Sequence, residues 1–531
     1  MLRNSAALAA GAALVACSRR AHPTTPAGGV ATAPQTPATP PTPIDGRATP
    51  ADAAHLLARL TFGARPGQAD ELARTGLAAW LEAQLRPETV PDPAGAAALA
   101  PFHDALAAPA DLEDAAQAEA AAMIADGDAP GDKKAKNMAK RELLLETQMT
   151  AIARHIASER AVLEVMTDFW TNHFSVSLQK GKVRYLAADF VEQAVRPFAL
   201  ARFVDLLKAT ARHPAMLVYL DNAQSVAPRP GSGPARRGRG LNENYARELM
   251  ELHTLGVAGG YTQDDVIGVA RIFSGWGVTP DGAYVFRPRL HDDGDKLVLG
   301  QKFPAGGGEQ EGARLLELLA AHPATIDHVC KQLCNRLVAD APPPAAVAAA
   351  AAAWRATGGN IAAVVRAIVH APVFWTAEVR GTKIKSPLEL VVSAVRAVGG
   401  AVDGTGLAKV MVRLGQPPLL APAPTGYADS SAAWLSTAGA LERMDFALGL
   451  AAERLPGVRL ALDTVVPLPG EQPLAAWRTR TITRIDAMIA GGLSPATRGV
   501  IERWIARPKQ PERARTLALA LALASPEFQR Q

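Results

Sequence analysis

Cysteine is scarce, with three in 531 residues. Cys330 and Cys334 lie four apart on one helical face. A disulfide across one helical turn is strained. No histidine or second cysteine pair completes a zinc set. The pair is therefore expected as small buried hydrophobes. No CxxCH occurs, which excludes covalently attached haem. Aromatics are only 5%, and with alanine abundant this favours helix over sheet. No strong excess of one charge is present either. The net charge is +5, the arginines are spread along the chain, and no nucleic-acid partner is expected. GxSxG, P-loop and GxGxxG motifs are missing. Gly306–Gly308 lacks the Lys-Ser/Thr partner of a phosphate loop.

What is present begins at the N-terminus. Arg3 precedes "SAALAAGAALVA", residues 5–16, an apolar run too short to span a bilayer, which takes about 20 residues. It ends in "LVAC", which resembles a bacterial lipobox with Cys17 as the acylated residue. The alternative is an ordinary secretory signal in which Cys17 has no role. Ser18 follows, not Asp, so the inner-membrane retention signal is absent. The expected location is the cell envelope, lipid-anchored, at the outer membrane where the host has one. Residues 18–50 are rich in Pro, Thr and Ala. They read as a disordered tether, because such a segment has too little apolar surface to order itself. Residues 51–531 are expected to be one large helical domain, either undivided or in two lobes that part near residue 305.

Apolar residues recur at helical spacing through most of that body, for example in "ELLLETQMTAIARHIAS". Helices are expected at 69–86, 112–126, 133–160, 160–173, 183–196 and 199–212, and again across 309–399 and 431–525. Residues 282–303 differ. Alternating apolar residues flank "DDGD", which predicts a small β-hairpin with this turn at its tip. The fold class is mainly α, a multi-helix body with one small hairpin insertion. "VHAPVFW" (369–375) and "LASPEFQ" (523–529) read as helix stops in which Phe anchors the exit.

The polar residues concentrate in a few places. "GLNENYARELMELHTLGVAGG" (240–260) predicts a helix from about Asn242 to Leu255, stopping at Gly256. On a 100° wheel Glu248 and Glu251 are neighbours at i and i+3, with Asn244 and Arg247 beside them. His253 falls on the border of the apolar face, and the stretch is neither HExxH nor ExxH. Two close carboxylates suit acid–base work or a divalent cation. They also fit a solvated face on which Arg247 pairs with Glu251. In "DFWTNHFSVS", Asp168 and Asn172 share one helical line and Phe169 and His173 the next. His173 reads as a hydrogen-bonded core residue or as a base or ligand. His291 and Asp292 stand at the expected hairpin tip, where turn chemistry alone also explains them.

Together, "LLARLTFGARPG", "DFWTNHFSVS", "RPFALARFVDLLKATARHPAMLVYLDNAQS", "GRGLNENYARELMELHTLGVAGGYTQDDV", "ARIFSGWG", "HDDGDKLVLG" and "WLSTAGALERMDFALGLA" resemble the bacterial family domain of unknown function 1800 over residues 52–530. The resemblance implies a large, mostly helical exported protein without an established activity. It also implies a partner, an exported phosphatase- or sulfatase-like protein of domain of unknown function 1501, whose members are often encoded alongside. Residues 415–427 lack the aromatics often seen there, which bears on lid or partner contacts. Two readings follow. One is a binding or scaffold lipoprotein working with that partner. The other is an envelope hydrolase or lyase, metal-assisted or not. Its shared cleft would carry Glu248, Glu251, His173 and His291 as catalytic candidates and Asn172, Asn244, Arg247 and Asp292 as binding candidates.

Overall fold

The termini of the helices follow the chemistry of their capping residues. Thr49 opens helix Pro50–Leu60 through a reciprocal capping box with Asp52, with Pro50 in the first turn. Thr262 and Asp265 do the same for Gln263–Phe273, and Ser386 and Glu389 for Pro387–Ala397. The structure is a computed structural model that describes residues 42–125, 132–227 and 240–531. The expected signal peptide, Cys17 and most of the expected tether lie outside these residues. So do residues 228–239, an arginine-rich stretch just before residues 240–260.

The described residues form one compact unit. A single apolar cluster runs from Ile44 to Phe528 and continues on both sides of residue 305. The protein is mainly α, and its described residues include three two-stranded antiparallel sheets. Among the described residues no helix is long and apolar enough to cross a membrane. Cys330 and Cys334 are free and fully buried in helix Pro323–Leu337, as expected. Phe374 and Phe528 are buried just beyond helices Ile361–His370 and Pro511–Leu523, each following a proline.

Three local expectations need correction. The 69–86 helix is two, Gln68–Thr75 and Leu77–Gln84, with Gly76 between them. The expected hairpin is two hairpins. β1 (Trp276–Val278) pairs with β2 (Tyr284–Phe286), and β3 (Lys296–Val298) with β4 (Gln301–Phe303). "DDGD" is thus a link between hairpins, not a tip. Three-residue strands carry too little alternation to reveal which neighbour each one pairs with. Finally, helix Asn244–Glu248 continues as a π-helix, Leu249–Thr254. Bonding from i to i+5 rotates every later side chain away from the 100° wheel. His253 and Thr254 are consequently buried, while Leu252, expected on the apolar face, is half-buried. Helix Val183–Asp189 likewise runs on as a π-helix, Phe190–Val195.

Candidate functional site

Helix Ala161–His173 turns its polar side inward. Glu164, Thr167, Asp168, Thr171 and Asn172 recur at i, i+3, i+4, i+7 and i+8, and all five face a cavity of about 480 Å³. The opposite side, with Val165, Met166 and Trp170, is sealed in the core. A helix normally directs such a stripe to water. Here the stripe is covered, and its polar groups must find partners inside the protein.

Other elements close the cavity. Helix Pro323–Leu337 adds His328, Gln332, Asn335 and Arg336, again at helical spacing, while its opposite side packs Val329, Leu333 and the two cysteines into the core. Helix Asp132–Ala157 contributes Arg154 and His155, and the start of Pro387–Ala397 contributes Glu389. Both π-helices reach the wall, through Glu192 and through Glu251 and Leu252. In an α-helix these positions would be rotated out of their present directions.

Residues 416–430 cross the cavity as a strap that lacks regular secondary structure. Gln148 Nε2 donates to the Pro418 carbonyl at 3.0 Å, and the Leu178 N–H to the Leu419 carbonyl at 2.9 Å. The Leu388 N–H donates to Gln416 Oε1 at 2.9 Å. Asn172 makes a double bond pair with the strap, donating from Nδ2 to the Tyr427 carbonyl and accepting from the Tyr427 N–H.

The charges in the wall are largely paired. Arg154 meets Glu192, Arg196 meets Glu164, and Arg336 meets Glu389. Lys383 is shared by Asp340 and Asp429 at 3.2 and 3.1 Å. Burial opposes ionisation of Glu164, but the hydrogen bond from His155 and the charge of Arg196 outweigh it and bring its pKa down to about 2. Burial likewise opposes ionisation of Glu389, and Arg336 again prevails, so its pKa is lowered. Asp168 is the exception. It has neither a hydrogen bond nor an ion pair among the described residues, and burial pushes its carboxyl above the usual range. Six buried polar atoms without partners also belong to wall residues: oxygens of Thr167, Thr171, Asn335 and Asp429, and guanidinium nitrogens of Arg196 and Arg336.

Of the eight candidate residues, Asn172, His173 and Glu251 line this cavity. His173 is occupied within the fold: Nδ1 lies 2.8 Å from Gln332 Oε1 and Nε2 3.1 Å from the His253 carbonyl. Burial lowers its pKa to about 4, so the ring is neutral at pH 7. Glu251 accepts from the Tyr261 hydroxyl at 3.2 Å.

The other five stand elsewhere. Glu248 is half-buried outside the wall, its pKa raised by burial and then by Glu251. Asn244 donates to the Leu220 carbonyl at 3.3 Å. Arg247 pairs with Glu243 and Gln263, not with Glu251. His291 is buried between the Ser274 carbonyl, 2.9 Å from Nδ1, and Glu311. Asp292 is held by Arg271 through two bonds of 2.8 and 3.0 Å. The structure does not bring these eight residues into one cleft. Asp168, Arg336, Glu389 and Asp429 were not among the candidates. Only Asp168 carried a local signal, its shared line with Asn172. Among the described residues no group of three or more His, Cys, Asp or Glu is placed to hold a metal ion.

Fold and site together define a mainly helical protein built around a charged internal cavity. Residues 55–530 match the family described as "Protein of unknown function (DUF1800)", and the chain belongs to it. No curated protein and no solved structure matches the chain.

Proposed function

We propose that this chain is an exported binding protein, lipid-anchored at Cys17 in the cell envelope, whose cavity takes a polar small molecule. One observation carries the reading. A helix face of uniform polarity is turned into a covered space large enough for a ligand, and its central carboxylate, Asp168, has no hydrogen bond or ion pair among the described residues. The volume lies in the range of small-molecule sites, roughly 300–1,000 Å³. A half-buried carboxyl in a cavity, with no ion pair and a pKa raised by desolvation, is the kind of group that marks a functional site. The hydrolase or lyase reading moves with this site: Asp168, with its raised pKa, replaces Glu248 and His291 as the candidate acid.

Thermal-shift screening of the full chain against sugars, amino acids, amines and nucleosides tests the binding reading. At least one class is expected to raise Tm by several degrees in wild type and not in Asp168→Asn. A panel without any such compound overturns it.

The scaffold reading has its own support. Helix Thr437–Ala451 exposes Leu441, Met444 and Leu448 at i, i+3 and i+7, and they are 65%, 55% and 41% exposed. An apolar stripe left open on a helix suits a protein partner, and the exported phosphatase-like protein is the one proposed. Leu441→Asp is expected to abolish association of the two purified proteins. Unchanged association, or none in wild type, removes this reading.

A further inference from the structure

We infer that the ligand of this cavity is a small organic cation, an amine or diamine, engaged by Asp168 and Glu251. This inference rests on the binding reading above and adds the class of ligand.

The first argument is charge. Among the described residues seven carboxylates line the cavity, against three guanidiniums and the neighbouring Lys383 ammonium, which leaves a formal charge of −3. The remainder is not spread evenly. Glu164, Glu192 and Glu389 each have an arginine, while Asp340 and Asp429 share one lysine. Asp168 and Glu251 make no ion pair among the described residues, although the charges of His155 and Arg336 reach Asp168 from a distance. Histidine does not redress the balance. Burial lowers the pKa of both His173 and His328, so both are neutral at pH 7. Counting His155, which bonds Glu164, as charged still leaves −2.

The second argument is independent of charge. Four of the six unpartnered buried atoms in the wall are oxygens. Thr167 is only 3% exposed, and its hydroxyl has no partner. The two unpartnered nitrogens belong to guanidiniums already engaged with Glu164 and Glu389. The oxygens of Asn335 and Asp429 can only accept, while the two threonine hydroxyls can accept or donate. An ammonium supplies three donors with its positive charge. No triad of metal ligands is present among the described residues. The charge this wall can meet is therefore that of an organic molecule, not that of a single metal ion. The space of about 480 Å³ accommodates such a molecule.

The test compares three probes with the same four-methylene chain that differ only in their end groups: putrescine, 1,4-butanediol and adipate. Each is titrated calorimetrically into the full chain and into Asp168→Asn. Putrescine is expected to bind wild type, the diol and the diacid are not, and Asp168→Asn is expected to weaken putrescine at least tenfold. A charge-assisted hydrogen bond corresponds to a loss of that order. Without ligand, Asp168→Asn is expected to melt no lower than wild type, because Asp168 makes no hydrogen bond or ion pair among the described residues that the amide would lose. Binding of the diol or diacid that is lost in Asp168→Asn leaves the cavity reading intact and overturns the cation. Putrescine that binds both chains equally is on the surface, and the inference falls. The inference also falls if putrescine does not bind. A markedly lower Tm for ligand-free Asp168→Asn makes Asp168 structural, and both readings fail.

Discussion

The side-chain amide of Asn172 pairs with the backbone of Tyr427 in both directions: Nδ2 donates to the carbonyl at 2.9 Å, and Oδ1 accepts from the N–H at 2.7 Å. The geometry is that of one rung of a sheet, made by a side chain. Asn172 thus positions the strap over the cavity. Asn172→Ala leaves two half-buried backbone groups unpaired, each worth about 1–3 kcal/mol. Amide hydrogen exchange in residues 416–430 is expected to speed up by tenfold or more while the helices keep their protection. Unchanged exchange at Tyr427 would show that the strap is held elsewhere.

Gly426 lies beneath this contact at φ +70°, and a Cβ added there would stand 2.4 Å from the Asn172 carbonyl oxygen. Gly67 has a similar φ of +75° with nothing within 4 Å. The two separate backbone strain from steric overlap. Gly67→Ala is expected to cost about 1 kcal/mol, the strain alone. Gly426→Ala is expected to cost several times more, because the obstacle is backbone and cannot rotate away. Urea unfolding of both variants checks this, and equal losses would refute it.

His55, His173 and His253 are buried as neutral rings. Burial is the leading cause each time, with the charge of Arg59 adding at His55, while His253 and His173 lie close enough that protonating one disfavours protonating the other. Their pKa values fall to about 3, 4 and 3. The unfolded chain binds these protons below pH 6.5 and the folded chain does not, so stability rises with pH in this window. It is lost as the pH falls from 6.5 towards 4. Each ring contributes a slope of about 1.4 kcal/mol per pH unit. His55→Gln, remote from the cavity wall, is expected to make the slope between pH 6.5 and 4.5 shallower by that amount. An unaltered slope in urea titrations would mean that His55 is protonated in the fold.

Lys296 and Glu311 form an ion pair at 2.7 Å with both side chains at most 1% exposed. Lys296 also donates to the carbonyls of Asp292 and Gly294, and so ties the link between the two hairpins to helix Gln310–Ala321. Lys296→Met leaves an uncompensated buried carboxylate, at a loss of about 3–5 kcal/mol. Lys296→Met with Glu311→Leu is expected to recover most of it. Chemical denaturation of the single and double variants decides, and a double variant no better than the single one would contradict the pairing.

Much of this architecture is legible in the sequence because helix ends have local chemistry. Ser386 with Glu389 marks a helix start without reference to the rest of the chain, and the 240–260 helix ends at Gly256 as expected. The π-helices were not legible. Nothing in Leu249–Thr254 distinguishes bonding to i+5 from bonding to i+4, and the wheel therefore misplaced Leu252, while His253, expected at the border of the apolar face, is buried. The site was legible by halves. The line through Asp168 and Asn172 shows a polar stripe. Whether it faces water or a cavity depends on what covers it. Here the cover is the strap, 255 residues beyond Asn172. A glutamate pair on one helix is conspicuous in a sequence. A wall assembled from positions 154, 168, 251, 336, 389 and 429 is not.

The edge of the cavity has a different character from its interior. Val257, Asp340, Thr425 and Ala428 are its exposed residues. Three are uncharged, and Asp340 is already bound to Lys383 and to the Ser431 N–H. A solute arriving from water therefore sheds its hydration at this threshold before it reaches Asp168. Discrimination by size and by ease of dehydration comes first, and recognition of charge comes second. Capture should accordingly be slow and almost insensitive to ionic strength, unlike association steered by a surface field.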